Sequence, residues 1–254
     1  MAVVLTTPAI LLRSVAYGEA DRVVTLLGRT TGRVSALARS ARKSQRRFGG
    51  GLGVAATGHA TLRERRGAEL LGLEAFEVVE ARIGLGQDLA RTAHAAYALE
   101  LCDKLCAPRQ PEPAVYDWLD ELLTRVERGP ATALRLRVFE LGLLGRLGLA
   151  PVLATCAGCG RADLDAEPVR WHATRGGVVC GGCARTGAVL ASSTRRELVR
   201  LQQLALAETG LDGPDRSLNE ACRRAIGELI RLHLTGPLKS LAFIDKMAAA
   251  GRSG

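Results

Sequence analysis

Residues 17–49 read YGEADRVVTLLGRTTGRVSALARSARKSQRRFG, and the alternation in this stretch decides the fold. Two short apolar runs, Arg22–Arg29 and Arg33–Ser40, flank a turn at Gly32. In the second run, the two-residue period of a strand puts Val34, Ala36 and Ala38 inward. Arg33, Ser35, Leu37 and Arg39 then share the other face. On either side of this hairpin lie a run at Ile10–Tyr17, ended by Gly18, and two more at His59–Arg66 and Leu70–Val79. The glycine patch 49–53 and Gly67 punctuate the later ones. The fourth run carries His59, Thr61, Arg63 and Arg65 on one face. Five strands within the first eighty residues fit a small closed barrel, for which the OB-fold is the usual five-stranded solution.

The charge of this region is one-sided. Between Arg22 and Arg63 there is no acidic residue and there are nine basic ones, in a chain of net charge +9. Polyanion binding explains such a run best, because each lysine or arginine that neutralises a phosphate releases a condensed counterion. The expected DNA contacts are Arg33, Arg39, Arg42, Lys43, Arg46, Arg47, Arg63 and Arg65, with the loop after Ser40 losing stiffness in its glycines. Aromatic residues are only 4% of the chain, and the barrel offers Tyr17, Phe48 and Phe76, at least one of them core. Binding dominated by phosphate contacts follows, with low sequence specificity and strong salt dependence.

From about residue 82 the apolar period becomes helical through Ile83, Leu85, Leu89, Ala93, Ala96, Tyr97, Leu101 and Leu105. The segment 108–113, PRQPEP, ends that helix. A second runs through Val115, Leu119, Leu122, Leu123 and Val126, and a third, with Pro130 in its first turn, through Leu134, Val138, Leu141 and Leu144. Thr194 with Glu197 and Ser217 with Glu220 fit the capping box of two further helices, and Gly236–Pro237 precedes a terminal one over Leu238–Met247. The expected organisation is an α+β multidomain chain: an OB-fold domain over 1–80, then a helical domain over 81–254 with an insertion at about 151–190.

That insertion carries two C-x-x-C pairs, Cys156/Cys159 and Cys180/Cys183, with twenty residues between them. Thiolates two residues apart can wrap one tetrahedral ion, and a second pair closes the sphere. Four soft sulfur ligands select one structural Zn2+, with no open position for substrate. An iron–sulfur cluster is the minor competitor. Small residues in CAGCGR and VVCGGCAR suit metal knuckles better than the strand-to-helix setting of a redox dithiol. His172, beside Trp171, reads as an ordinary strand histidine, and Cys102, Cys106 and Cys222 as small core residues.

The common catalytic constellations are absent from the sequence: the phosphate-binding G-x-x-x-x-G-K-[ST], the H-E-x-x-H helix and the nucleophile elbow. His172 is followed by Ala173 and Thr174 and Thr155 precedes Cys156, so a zinc deaminase signature is missing too. A non-enzymatic protein is expected. The first residues, MAVVLTTPAILLRSV, lack the basic start and cleavage site of a signal peptide, and no apolar run approaches bilayer length. A cytoplasmic, nucleoid-associated location without membrane contact is expected.

Taken in order along the chain, residues 17–49, WHATRGGVVCGGC at 171–183 and HLTGPLKSLAFI at 233–244 resemble the RecO family of bacterial recombination mediators. The resemblance covers nearly the whole chain. It implies a protein that binds single- and double-stranded DNA and anneals complementary strands. With RecR it would load RecA onto DNA coated by the single-stranded-DNA-binding protein SSB, whose acidic C-terminal tail the helical domain would bind. Arg223, Arg224, Arg231 and Lys239 have the charge for that tail but read better as a solvated helix face. Two other classes share some of these features: a zinc-ribbon or OB-fold factor of transcription or RNA metabolism, and a metal-dependent nuclease or nucleotide-modifying enzyme. Annealing of SSB-coated strands separates off the first, and absence of cleavage with divalent metal the second.

Overall fold

The computed structural model describes residues 3–44, 46–49, 51–64, 70–165, 167–210 and 213–250, leaving aside the side chains of 245–250. Five strands form the N-terminal region: β1 (Val4–Tyr17), β2 (Asp21–Gly28), β3 (Gly32–Ala38), β4 (Thr57–Arg63) and β5 (Leu71–Glu80). They close in the order β1-β2-β3-β5-β4, with β4 pairing back onto β1. Every pairing is antiparallel except the short one between β3 and β5, Ala36 opposite Leu71 and Leu37 opposite Gly72. This is the five-stranded OB-fold barrel that the alternation predicts.

Closure depends on β1, which serves two neighbours. Its first half pairs with β4 from Val4 to Ile10, and its second half pairs with β2 from Ala9 to Tyr17. A register shift between Leu11 and Arg13 bends the strand between these tasks. The apolar run Ile10–Tyr17 leaves out the first six residues of this strand, which include Pro8. In the structure the Pro8 carbonyl accepts the Arg29 amide at 2.8 Å. The nitrogen that lacks a proton therefore faces the β2–β3 turn, and the ladder to β4 loses no donor. At that turn Gly32 has φ +69°, and a Cβ there would lie 2.0 Å from the Gln110 carbonyl oxygen, so only glycine fits.

Inside the barrel lie Ala9, Leu11, Val24, Leu26, Val34, Ala36, Ala38, Ala60, Leu62, Leu71, Leu73 and Phe76. Phe48, Leu52 and Ala56 of the β3–β4 connection join them. Phe48 and Phe76 are both core, and Tyr17 is 60% exposed. The helices beside the barrel are α1 (Leu89–Leu105) and α2 (Pro113–Arg128), with α1 packed on β1 and β2. α1 is capped by Asp88, whose carboxylate accepts the Arg91 amide, and α2 starts on Pro113. Arg82, with φ 51°, buries its guanidinium beneath them, donating to Asp120 at 2.5 Å, Thr124 at 3.1 Å and Thr57 at 3.3 Å. It ties β4 to α2, and the sequence offered no sign of it.

By compactness the chain divides into residues 1–130 with 238–254, and residues 131–237. The terminal helix α6 (Lys239–Ala250) belongs to the first unit and packs on α1. Glu100 of α1 caps it: its carboxylate accepts the Lys239 amide at 3.0 Å, the Ser240 amide at 2.8 Å and the Ser240 hydroxyl. The change from strands to helices still falls near residue 80, as the periodicity indicates.

The second unit holds α3 (Ala133–Arg146), a three-stranded sheet of β6 (Val169–His172), β7 (Gly177–Val179) and β8 (Ala188–Leu190), then α4 (Ser192–Gln203) and α5 (Arg216–Leu232). Several expected helix starts are corrected here. α3 is capped by Thr132, three residues after the Gly129–Pro130 break begins, so Pro130 lies outside its first turn. Thr194 is buried within the first turn of α4 and Glu197 pairs with Arg200, so the two form no capping box. For α5, Asp215 takes the cap, accepting the Leu218 amide at 2.9 Å and the Ser217 hydroxyl at 2.6 Å. A carboxylate two residues upstream wins because it is as good a cap as serine and adds a favourable charge at the helix start.

Candidate nucleic-acid surface and cysteine centre

The basic loop after β3 is built, not slack. Ser40, at φ 53°, receives the amides of Lys43 and Ser44 on its carbonyl, both at 3.0 Å, while its own amide donates to Asp21 Oδ1 at 2.7 Å. The Arg42 amide donates to the Ala20 carbonyl at 3.1 Å and its guanidinium to the Glu19 carbonyl at 3.2 Å. Phe48, 3% exposed, plugs into the barrel, and the Arg47 carbonyl accepts the Phe76 amide at 3.0 Å. These bonds hold the turn against the β1–β2 hairpin at one end and the core at the other. The glycines at which the loop is expected to lose stiffness follow this bonded stretch, and Gly50 lies outside the described residues.

The candidate cations divide by what they touch. The side chains of Arg39, Lys43 and Arg46 are exposed and have no partner among the described residues. Arg47 spends two donors within the loop, on Ser44 Oγ at 3.1 Å and the Arg39 carbonyl at 2.8 Å, and lies over the Phe48 ring with 5.2 Å to its centroid. Arg42 and Arg47 thus shape the turn as well as charging it. Arg33 is half-buried and engaged by the Cys106 carbonyl at 2.9 Å and Asp103 at 3.5 Å, at the other end of β3. Arg63 pairs with Glu74 of the neighbouring strand at 3.1 Å. Arg65 lies outside the described residues. The structure brings Arg39, Arg42, Lys43, Arg46 and Arg47 together along one turn and places Arg33 at the other end of β3, whereas Arg63 lies opposite Gly72, itself opposite Leu37, two strands from the start of the turn.

The cysteine centre forms where two knuckles meet. In the first, the Cys156 carbonyl accepts the Gly160 amide at 2.8 Å. In the second, the Cys180 carbonyl accepts the amides of Cys183 and Ala184 at 3.0 and 3.2 Å. The segment at Val152 bridges to Gly177, and the Ala157 amide reaches the Val178 carbonyl at 2.8 Å, which fastens the first knuckle to β7. Gly158 must be small, since a Cβ there would lie 3.0 Å from Cys183 Cβ and 3.1 Å from its Sγ.

All four Sγ atoms, of Cys156, Cys159, Cys180 and Cys183, lie within 4.8 Å of one another, and those of Cys159 and Cys180 are 3.8 Å apart. A tetrahedron with metal–sulfur bonds of about 2.3 Å has edges of about 3.8 Å, so the group could hold one ion. Burial pushes the Cys156 thiol up, but the amides of Cys180, Cys159 and Gly158 more than reverse this and bring it down to about 6. Hydrogen bonds with Cys159, Cys180 and Cys156 push Cys183 up to about 12. Thiols this close cannot all ionise beside one another, and a cation among them resolves the conflict. His172 stands outside the cluster with Nε2 3.1 Å from the Thr186 carbonyl. Cys102, Cys106 and Cys222 are buried elsewhere, and burial pushes Cys222 up to about 12.

The barrel, the helical region that follows it and the four-cysteine insertion occur in an order that comparison with known families can test. The family model described as Recombination protein O N terminal matches residues 1–82, and that described as Recombination protein O C terminal matches residues 86–242. The chain belongs to the RecO family. Among its RecO relatives, the DNA repair protein RecO of Anaeromyxobacter dehalogenans is 42% identical over 242 residues, 94% of each chain. That of Geobacter sulfurreducens is 38% identical over 243 residues, covering 94% of this chain and 96% of its own. That of Myxococcus xanthus is 35% identical over 240 residues, again 94% and 96%. RecO membership supports a role in DNA repair. Among the described residues, no helix is long and apolar enough to cross a membrane.

Proposed function

We propose that this chain is a non-enzymatic mediator of DNA repair and homologous recombination that binds single- and double-stranded DNA on the basic turn of its barrel. The observation that carries this reading is a rigid turn presenting Arg39, Lys43 and Arg46 without partners, on a barrel whose family is one of DNA repair proteins. Unpaired arginines and lysines on a fixed backbone neutralise phosphates without sequestering bases, and two strands neutralised in this way can pair with each other. Strand annealing is the activity such a surface supports. As the family resemblance implies, the chain works with RecR to load RecA onto SSB-coated single strands and engages the SSB C-terminal tail. The four cysteines hold one Zn2+ as a structural clasp, and Arg33, Arg63 and Arg65 contribute less to DNA binding than the turn does.

A fluorescence annealing assay on SSB-coated complementary strands tests the reading. Wild type should anneal them, and the variant with Arg39, Lys43 and Arg46 changed to alanine should not. Equal annealing by both would place the DNA site elsewhere, and no annealing by wild type would remove the mediator role.

A further inference from the structure

The outer face of β1, β2 and β3 is covered at one end and open at the other. Towards Ile10, Leu27 and Arg33, α1 packs on it: Ile10 and Leu27 are fully buried although they point away from the barrel interior, and Arg33 binds the end of α1. Towards the β1–β2 turn no element covers it among the described residues. There the register aligns Val15, Val23 and Leu37 in one cross-strand row, all pointing outward because their neighbours Val24, Ala36 and Ala38 fill the core. Val15 is 42% exposed, and Val23 and Leu37 are half-buried. Tyr17 follows Val15 on the same face, opposite Asp21, and no side chain partners its ring among the described residues.

Charge surrounds this apolar floor. Arg13 precedes Val15 on the same face of β1 and is exposed. Arg39 follows Ala38, the partner of Arg22, so it leaves β3 at the Tyr17 end, roughly 10 Å away across two strand spacings. Asp21 between them is occupied by the Ser40 amide, the bond that fixes the basic turn. The exposed aromatic of the barrel and its unpaired cations thus lie at one end of one sheet face.

We propose that this half-face is a single-strand subsite in which Tyr17 stacks on one nucleobase over the Val15–Val23–Leu37 floor while Arg39 and Arg13 hold the flanking phosphates. This deepens the DNA-binding reading above and rests on it. Flat apolar rings joined by anions match a flat ring and apolar floor bordered by unpaired cations. A duplex presents only phosphates to such a surface, because its base faces are stacked on each other. A single ring marks one base and leaves the rest free, which is compatible with annealing.

The test measures binding of a 20-nucleotide single strand and of its duplex, by fluorescence anisotropy at one salt concentration, for wild type, Tyr17→Phe and Tyr17→Ala. Tyr17→Ala should weaken single-strand binding by roughly tenfold and change duplex binding less than twofold, while Tyr17→Phe stays near wild type. An oligonucleotide carrying 5-iodouracil should photo-crosslink to Tyr17. Unchanged single-strand affinity in Tyr17→Ala, an equal loss for both forms of DNA, a Phe variant as weak as Ala, or a crosslink elsewhere would each overturn the subsite while leaving DNA binding intact. Binding of a polyglutamate peptide that Tyr17→Ala abolishes, with single-strand affinity unchanged, would assign the face to an acidic protein partner instead. Wild type that binds neither DNA would overturn the DNA-binding reading and the subsite together.

Discussion

The cysteine centre and the basic turn are both short polar segments fixed by backbone hydrogen bonds, yet they end in opposite chemical states. In the centre the functional atoms lie against one another: four sulfurs within 4.8 Å, with the Cys180 amide donating to Cys156 Sγ and a glycine close against Cys183. In the turn the backbone is equally committed, but the side chains of Arg39, Lys43 and Arg46 are exposed and have no partner among the described residues. A group satisfied internally stabilises the fold. A group left without a partner is available to a ligand, and the bonded backbone beneath it leaves only the side-chain rotamers to be ordered on binding. That contrast assigns structure to the cysteines and interaction to the turn.

The largest effect that could break the contrast is metal removal. Chelation, or Cys180→Ser, should abolish stoichiometric zinc and expose the amides of 152–190 to hydrogen exchange, since structural zinc binding is worth on the order of 10 kcal/mol. DNA affinity should hold. If it collapses while barrel amides remain protected, the division between clasp and binding surface is wrong.

Next in size is the joint change of Arg39, Lys43 and Arg46 to alanine. The slope of log K against log salt for duplex should become shallower by roughly 2 to 3, at about 0.9 for each phosphate no longer neutralised. The structure sharpens the choice of residues, because Arg42 and Arg47 also hold the turn in shape. A slope that does not move would show that the turn does not engage the phosphates.

Arg82→Ala should destabilise the barrel unit by about 2 kcal/mol, the value of hydrogen bonds to a charged group, since Arg82 is buried but Asp120 is 37% exposed and can be rehydrated. Zinc content should be unaffected, and thermal unfolding followed together with metal release would separate the two. Smallest is Glu100→Gln, about 1 kcal/mol, the usual value of a helix cap. Burial pushes the Glu100 carboxyl up, but the bonds from Ser240 and Lys239 outweigh it, so its pKa in the fold lies below the ordinary carboxylate value. The stabilisation is therefore present above the unfolded-state pKa and is lost as pH falls through the lower folded-state value. Acid titrations of wild type and Glu100→Gln should converge at low pH. A gap that stays constant throughout the acid range would show that the carboxylate's charge is not what caps α6.

Much of this was legible without coordinates because it depends on local period and spacing. Alternation in 33–39 placed Val34, Ala36 and Ala38 inward and so led to the barrel, and two C-x-x-C pairs singled out the four sulfurs that converge. Local signals failed where several competed within a turn of helix. The helix α4 starts at Ser192, two residues before Thr194, and Asp215 displaced Ser217 at α5. The effect of Pro8 within β1 depends on which side of the strand its nitrogen faces, which a local period does not give.

The sequence by itself determined the excess of positive charge, the inward and outward faces of each strand, and the type and number of sulfur ligands. These are properties of composition and of a period of two or four residues. Only the tertiary structure decided which charges are free. Arg33 and Arg39 stand six residues apart on one predicted face, yet one is engaged by the end of α1 and the other is unpaired among the described residues. Their difference comes from what packs on each end of β3, and that packing joins Arg33 to residues about seventy positions further along the chain.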